Sequence, residues 1–596
     1  MRRTHLLRPN ASEEQPWECV WFDTETTQEQ RGFDAVGHIL SFGWAAYRRR
    51  LEGSTWSSPT WHRFTTASSL WTWLEGLLHG KACLYQFCHN AGFDLPVVDA
   101  FHELPGRGWK LLKAVIDCPP VILQWRRGKQ TIRQLDTLNI WRQSLDTIGK
   151  QLGLPKLPMP GREADTAEWD IYCRRDVEVI MAACLEWFGF LQRHHFGSFA
   201  PTLAGQAMRA YRHRFMVHPI LVDSNEPALE LARRSYLGGR VECGRLGRVD
   251  GPVYRLDVNS MYPAVMRDNW YPTRLIGHTS RAEVAELHEW LAKWCVVAEV
   301  DLATDEPAYP VVVEGRLVFP VGRFLTVLAS PELQHALERE RVLAVHAVAC
   351  YDRAVLFKAF VEECWAIRLA AIQAGDSVTQ WLVKKLGQSV HGKFGQRGRQ
   401  YREAGDWPDH EARAWVEVDV DTGRIYKHRT LGGLHQIWHD ESESRDSCPA
   451  VAAHVTSYAR LYLWGLICRA GRSELLYTDT DSLHTTDRGY ADLKELIDPN
   501  LLGALKLEGV EPWMIYHGLK DYEAPGYRRT KGVRKSAHWV TPTDVVQEQW
   551  SSLVGLLRGG EVTAPTTRLI VKHLDRAYTK GTVEPSGLVL PLTLGP

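Results

Sequence analysis

A chain of 596 residues, 44% of them hydrophobic, can bury large cores, and its length alone suggests several domains. Its 71 Lys and Arg balance 71 Asp and Glu, and a net charge of zero argues neither for nor against nucleic acid, because a basic groove can coexist with acidic catalytic sites. The twelve Cys form no C-x-x-C pair, and Cys83, Cys88 and His89 cluster without the second half of a zinc site, so they read as ordinary thiols in a reducing compartment. The N-terminus is basic but has no apolar core, and Glu13 and Glu14 argue against a transit peptide. No apolar run of about 18 residues marks a membrane span, and no repeat of solenoid period is present. The expectation is a cytoplasmic protein with neither signal peptide nor transmembrane segment.

In chain order, residues 20–25 read as a buried strand ending in Asp23 and Glu25. Side chains two apart share a strand face, so both carboxylates can meet one metal cluster, although Asp-x-Glu alone usually marks a solvated strand end. Residues 84–87 read as a second strand running into His89-Asn90-Ala91-Gly92-Phe93-Asp94, where Asn90 and Asp94 flank a loop entering a helix. Residues 170–180 are helical in pattern, with Tyr172 and Asp176 on one face. The paired glycines of Tyr236-Leu237-Gly238-Gly239 permit φ > 0 and a close approach of backbone to a ligand; a plain turn is the alternative. Residues 253–257 read as a strand ending in Asp257, and 258–263 as a turn into a helix. Residues 276–355 are mixed, with strand-like runs at 294–300 and 309–313.

From 355 to 394 the pattern is helical and broken at Gly375-Asp376, a helical hairpin. Its second arm places Lys384, Gln388 and His391 on one face, a polar stripe that should meet solvent or a charged ligand. The stretch 398–449 is charged and loop-rich, with a hairpin turn at Asp421-Thr422-Gly423. An apolar helix at 450–467 leads into Tyr477-Thr478-Asp479-Thr480-Asp481-Ser482, read as a β-hairpin with two carboxylates at its tip. Asp is depleted from strand interiors, and a hard divalent cation such as Mg²⁺ would offset the crowding of like charges; Asp-x-Asp alone is most often an ordinary acidic turn. The basic run at 528–535 suits duplex phosphates, although such runs are most often solvated faces.

In this order, D-x-E at 23–25, N-x-x-F-D at 90–94 and Y-x-x-x-D at 172–176 resemble the three exonuclease motifs of proofreading family B DNA polymerases, and Tyr477 to Ser482 resembles that family's C motif. The resemblance covers nearly the whole chain. It implies an α/β and α+β multidomain fold, with a ribonuclease H-like 3′→5′ exonuclease domain (1–200) followed by a right-hand polymerase. The polymerase would comprise palm (201–275 and 449–510), a palm insertion that would be terminal-protein region 1 (276–355), fingers (356–398), a second insertion that would be terminal-protein region 2 (399–448) and thumb (511–596).

By the same resemblance, Asp23, Glu25, Asp94 and Asp176 hold two metals and Tyr172 orients the attacking water, an in-line two-metal scheme. Thr137 and Leu138 match a short signature that grips the single-stranded primer end, Asn90 lies beside it, and Phe93 would stack on a terminal base. Lys156 stands where relatives carry a catalytic lysine. Tyr236, Gly238 and Gly239 match the Y-x-G-G motif that couples the two sites through the template strand. Asp257 would share two metals with Asp481, Asp479 assisting, and Tyr262 would be the steric gate against ribonucleotides. Lys384, joined by Arg368, would bind the incoming triphosphate. Gln388 replaces the family's Asn, and His391 replaces its Tyr, placing a group that titrates near neutrality beside the nascent pair. Lys520 and Tyr522 match the K-x-Y motif that holds the primer strand.

The implied function is a DNA-directed DNA polymerase with 3′→5′ proofreading exonuclease, of the protein-primed branch found on phages and linear plasmids and capable of strand displacement. The implied cofactor is Mg²⁺, two ions per active site, with Mn²⁺ as a substitute. The implied partners of this monomer are DNA template and primer, dNTPs and a terminal protein, in a bacterial host cytoplasm and away from membranes. Three alternatives stay open: a primer-independent polymerase of a mobile element, a nuclease whose polymerase half has decayed, and a DNA-binding protein with neither activity.

Overall fold

The computed structural model describes residues 3–31, 35–52, 55–117, 119–161, 163–398, 401–438, 442–560 and 562–595. Residue 399, where the second insertion is expected to begin, lies outside the described residues.

The first domain is built on a ten-stranded mixed sheet. Its centre is the strand Glu18–Arg31, paired in parallel with Cys83–Cys88, which pairs in parallel with Gln130–Asp136. Alternation along the first strand sorts its side chains between two cores. Val20 and Phe22 face Leu70 and Trp71, whereas Trp21 faces Trp187 and Phe188 of the 28-residue helix Thr166–Arg193. Asp23 and Glu25 share Trp21's parity and therefore point toward that helix.

The second unit centres on a seven-stranded antiparallel sheet, in which Ser482–Thr485 lies between Leu475–Asp479 and Gly247–Val258. The helix Pro449–Ala470, buried along most of its length, packs behind it. Residues 271–354 form a separate antiparallel sheet. The helical hairpin is Lys358–Gln373 and Ser377–Phe394. Gly375 turns it at φ 69°, and the Asp376 side chain caps the second arm by accepting from the Thr379 N–H at 2.9 Å. Among the described residues no helix is long and apolar enough to cross a membrane.

Two expectations change. The stretch 398–449 is not loop-rich: residues 401–438 form a four-stranded antiparallel sheet. That sheet shares a core with the first domain, where Leu431 and Leu434 join Leu111 and Trp125. The C-terminal part is not a separate small unit either. The strand Leu505–Gly518 runs through the 510/511 limit as part of the seven-stranded sheet. Further on, Thr566–His573 pairs with Ala35–Arg49 and so extends the first domain's sheet. The last strand, Thr593–Leu594, pairs with Val321–Ala329. Sequence periodicity finds strands but not partners more than 250 residues away.

One buried ion pair ties these parts together. The Arg460 Nε donates to Glu332 Oε1 at 2.7 Å, with both side chains 1% exposed, and Ser457 donates to the same carboxylate at 2.8 Å. The guanidinium's remaining reach goes to the carbonyls of Leu237 and Gly238, at 2.8 and 3.1 Å. Replacing Arg460 by Ala leaves a carboxylate buried without its counter-charge, a loss of about 3–5 kcal/mol. The expected result is a clear fall in the denaturation midpoint, and an unchanged midpoint would show that the pair is not a structural anchor.

Candidate active sites

The polymerase-type cluster is assembled by strand register. Asp257 lies directly opposite Ser482 across adjacent strands, and the Val258 N–H donates to the carbonyl of Asp481 at 2.8 Å. The hairpin tip needs a left-handed residue, which is Thr480 at φ 66°. Its N–H donates to the Arg240 carbonyl at 2.7 Å. Burial and the neighbouring Asp481 push the Asp257 carboxyl up to about 7, with Lys384 and Lys506 pulling the other way. Asp481 is raised as well, by burial and by Asp479. Asp479 has a cation of its own, the Lys520 ammonium at 3.0 Å.

The fingers approach these acids with two cations. Burial lowers Lys384, and nearby Arg368 lowers it further, while Asp257 and Asp481 raise it. Arg368 donates to the Ser260 hydroxyl at 2.7 Å. Half-buried Gln388 lies on the same face of the second arm. Tyr262 and His391 stack with centroids 4.6 Å apart and planes 2° from parallel. The polar stripe therefore includes an aromatic plate, and the titration expected of His391 does not occur near neutrality. Enclosure lowers the imidazole to about 4, leaving it neutral between pH 6 and 8.

The glycine pair acts differently from its sequence reading. Neither Gly238 nor Gly239 adopts a positive φ. A Cβ on Gly239 would come 2.8 Å from Thr480 Cγ2, so the close approach is to the hairpin tip and not to a ligand. Gly238 is exposed with open space around it. The Tyr236 ring covers Gly395 at the end of the fingers helix. Lys520 sits at the cluster, whereas Tyr522 is buried in an aromatic group with Tyr477, His484 and Tyr516. Its ring is thus a core residue and not a surface grip.

The exonuclease-type cluster brings together Asp23, Glu25, Asp94 and Asp176. Burial is the main cause of raised values throughout: Glu25 goes up to about 7, Asp94 to about 8, and Asp23 is raised well above its ordinary value with help from Asp94 and Asp176. The Thr24 hydroxyl donates to Asp94 at 2.7 Å. Lys156 pairs with Asp176 at 2.5 Å and stands 4.7 Å from the centre of the buried Tyr172 ring. The other Asp176 oxygen is buried with no hydrogen-bond partner. Carboxylates crowded together with an orphaned oxygen are a donor set that fits hard divalent cations; Asp257, Asp479 and Asp481 are crowded acids too, Asp481 raising Asp257 and Asp479 raising Asp481.

Two residues here escaped the sequence reading. Asp136 accepts from the N–H groups of Asn90, Ala91 and Leu138 at 2.9–3.0 Å, binding the loop of Asn90, which is left-handed at φ 72°, to the turn of Thr137 and Leu138. Cys173 lies against Asp23. Its neighbour in sequence, Tyr172, gave no signal for it. Phe93 packs edge-on against His38 and against Trp550 of the C-terminal hairpin, both at 5.5 Å, so an aromatic group stands beside Asp94.

Comparisons with known proteins agree with this geometry. A family model described as DNA polymerase type B, organellar and viral, matches residues 161–404. The chain is 25% identical over 328 residues to the DNA-directed DNA polymerase of Enterobacteria phage PRD1, an overlap of 54% of each protein, so the match spans about half that relative's length. Over these stretches the chain is similar to the type B DNA polymerases. Solved structures of phi29 DNA polymerase with primer-template DNA, and with primer-template DNA and incoming nucleotide, match with TM-score 0.64 at 15% identity. Each match covers 94% of this chain and 100% of that one. This likeness gives the fold alone.

Two predictions follow from this geometry. Gly239→Ala pushes a methyl group into Thr480 and displaces the hairpin tip, so it should lower activity dependent on Asp257 and Asp481 while leaving activity dependent on Asp23 intact; equal loss of both would contradict a local effect. The second concerns pH. A carboxyl whose folded pKa of about 7 exceeds its unfolded value of about 3.9 binds more protons folded than unfolded between those limits, so its ionisation costs stability as pH rises. In metal-free protein, Asp257→Asn should therefore raise the thermal midpoint most above pH 7, with the gain shrinking toward pH 4. A pH-independent gain would show that the carboxyl is not perturbed.

Proposed function

We propose that this protein is a DNA-directed DNA polymerase with 3′→5′ proofreading exonuclease activity, primed by a terminal protein. The observation that carries the polymerase reading is Asp257 on a strand beside the hairpin turn that carries Asp481, faced by Lys384. Bound Mg²⁺ would supply charge neutralisation for the attacking 3′-hydroxyl and the leaving pyrophosphate, with two ions per centre and Mn²⁺ as a substitute. Asp257, Asp479 and Asp481 are the residues that would hold it. Lys384 and Arg368 bring positive charge to the triphosphate. Tyr262, held flat against His391, forms a wall on which a ribose 2′-hydroxyl would collide, and Gln388 offers an amide on the same helix face. Gly238 offers an exposed backbone surface to the template strand, next to Tyr236 and Gly239. Lys520 would meet the primer phosphate near its 3′ end, while Tyr522 supports the strand beneath it.

In the exonuclease centre Asp23, Glu25, Asp94 and Asp176 are the metal-holding residues. Lys156 fixes Asp176, and Tyr172 lies where it can orient a water. Asn90, Phe93, Thr137 and Leu138 would line the path of the frayed primer end, with Phe93 stacking on a base. Template, primer and dNTPs are the proposed partners, in keeping with the ligands named for the phi29 polymerase structures. Domain limits follow the motif order given above, except that the strand Leu505–Gly518 carries the seven-stranded sheet past residue 510. The insertions at 276–355 and 399–448 are the proposed contacts for a terminal protein.

The test is a pair of assays on one set of variants. Asp257→Ala and Asp481→Ala should abolish primer extension and spare degradation of single-stranded DNA, and Asp23→Ala with Glu25→Ala should do the reverse. Extension surviving in either palm variant overturns the polymerase reading. Labelled dATP offered with template, with and without primer and candidate terminal proteins, separates protein-primed from primer-independent initiation.

A further inference from the structure

Cys173 is fully buried, and its Sγ lies 3.6 Å from the backbone oxygen of Asp23 and 3.9 Å from Asp23 Oδ2. The thiol and the carboxylates of Asp23 and Glu25 offer three ligand atoms within 4.8 Å of one another, and among the described residues no other such trio of His, Cys, Asp and Glu donors occurs. A second observation points into the same space. Asp176 follows Cys173 by three residues on the helix, so both occupy one face. It is 2% exposed, and its Oδ1 has no hydrogen-bond partner. Its charge acts on both Asp23 and Glu25, so it lies close to them.

The donor chemistry discriminates between metals. Mg²⁺ takes oxygen ligands and gains nothing from sulfur. Zn²⁺ and other thiophilic divalent ions accept thiolate, and a four-coordinate mixture of sulfur and carboxylate oxygen suits Zn²⁺. We propose that the exonuclease centre contains an inhibitory site for a thiophilic divalent cation, Zn²⁺ or Cd²⁺, bound by the Cys173 thiolate together with Asp23, Glu25 and Asp176. Binding forms a metal–sulfur bond and releases the thiol proton to solvent, with no change of oxidation state. The ion occupies carboxylates that hard cations need, so DNA degradation stops. The cluster of Asp257, Asp479 and Asp481 has no thiol in its donor set and keeps its function. The inhibitory consequence rests on the exonuclease reading, whereas the metal binding does not.

The experiment titrates Cd²⁺ into the chelator-treated full-length protein and follows thiolate-to-cadmium charge-transfer absorption in the ultraviolet. It compares wild type with Cys173→Ser, Cys173→Ala and Asp23→Asn, and primer extension serves as the control for folding. In parallel, degradation of single-stranded DNA is measured at fixed Mg²⁺ with rising Cd²⁺. The wild type should show a band that both Cys173 variants lose and Asp23→Asn weakens. The Cd²⁺ needed for half-inhibition should rise in Cys173→Ser by at least the roughly 10–100-fold that even an outer-shell partner contributes to metal affinity. No band in the wild type, or the same band and the same inhibition with and without Cys173, overturns the proposal. A Cys173-dependent band in a protein that never degrades DNA would uphold the metal site and overturn the exonuclease reading.

Discussion

Crowding of like charge governs both centres. Each gathers buried carboxylates whose ionisation burial and neighbouring acids oppose: Asp94 is held at about 8, and Glu25 and Asp257 at about 7. In each, one lysine is committed to one acid, Lys156 to Asp176 and Lys520 to Asp479. The others are left without a salt-bridge partner among the described residues and are pushed up by burial. Such an arrangement costs folding free energy unless a cation arrives, and it persists only where the surrounding frame allows no relaxation.

That frame is clearest around residues 233–240. Arg233 pairs with Glu443 and donates to the carbonyls of Gly395 and Gln396 at the end of the fingers helix. Tyr236 covers Gly395, and Arg460 holds the carbonyls of Leu237 and Gly238. Gly239 packs on Thr480, and Arg240 accepts the Thr480 N–H. One short segment thus touches fingers, second insertion, palm helix and acidic hairpin.

The acids were legible because their signals are local. Asp23 and Glu25 lie two apart on a strand, Tyr172 and Asp176 one turn apart on a helix, and Asp479 to Asp481 at a tight turn, so periodicity alone placed them on shared faces. What sequence missed depends on distant partners. Tyr522 reads like an exposed aromatic until Tyr477 and Tyr516 enclose it. The sheet at 401–438 is rich in charge because much of it is exposed, and only Leu431 and Leu434 reveal its core against the first domain. Thr566–His573 finds its partner in Ala35–Arg49, a pairing that no local pattern encodes. Cys173 and Asp136 carry no spacing signal, since each acts through atoms of another segment.

The substitution of His391 for an aromatic phenol shows how burial decides what a residue is. In water an imidazole is a base near neutrality, and its appearance on the helix that carries Lys384 suggests an added charge. Here desolvation holds it neutral down to about pH 4, and its plane lies within 2° of the Tyr262 ring. It therefore acts as a flat apolar plate, as the phenol would, but a smaller one and without the hydroxyl. The positive charge in front of Asp257 and Asp481 comes instead from Lys384 and Arg368, both lowered by burial and Lys384 further by Arg368, and the two carboxylates are themselves raised. Two cations above two acids leave room for a polyanion on one side and metal ions on the other. The departure at position 391 changes the shape of the wall and leaves that division of charge intact.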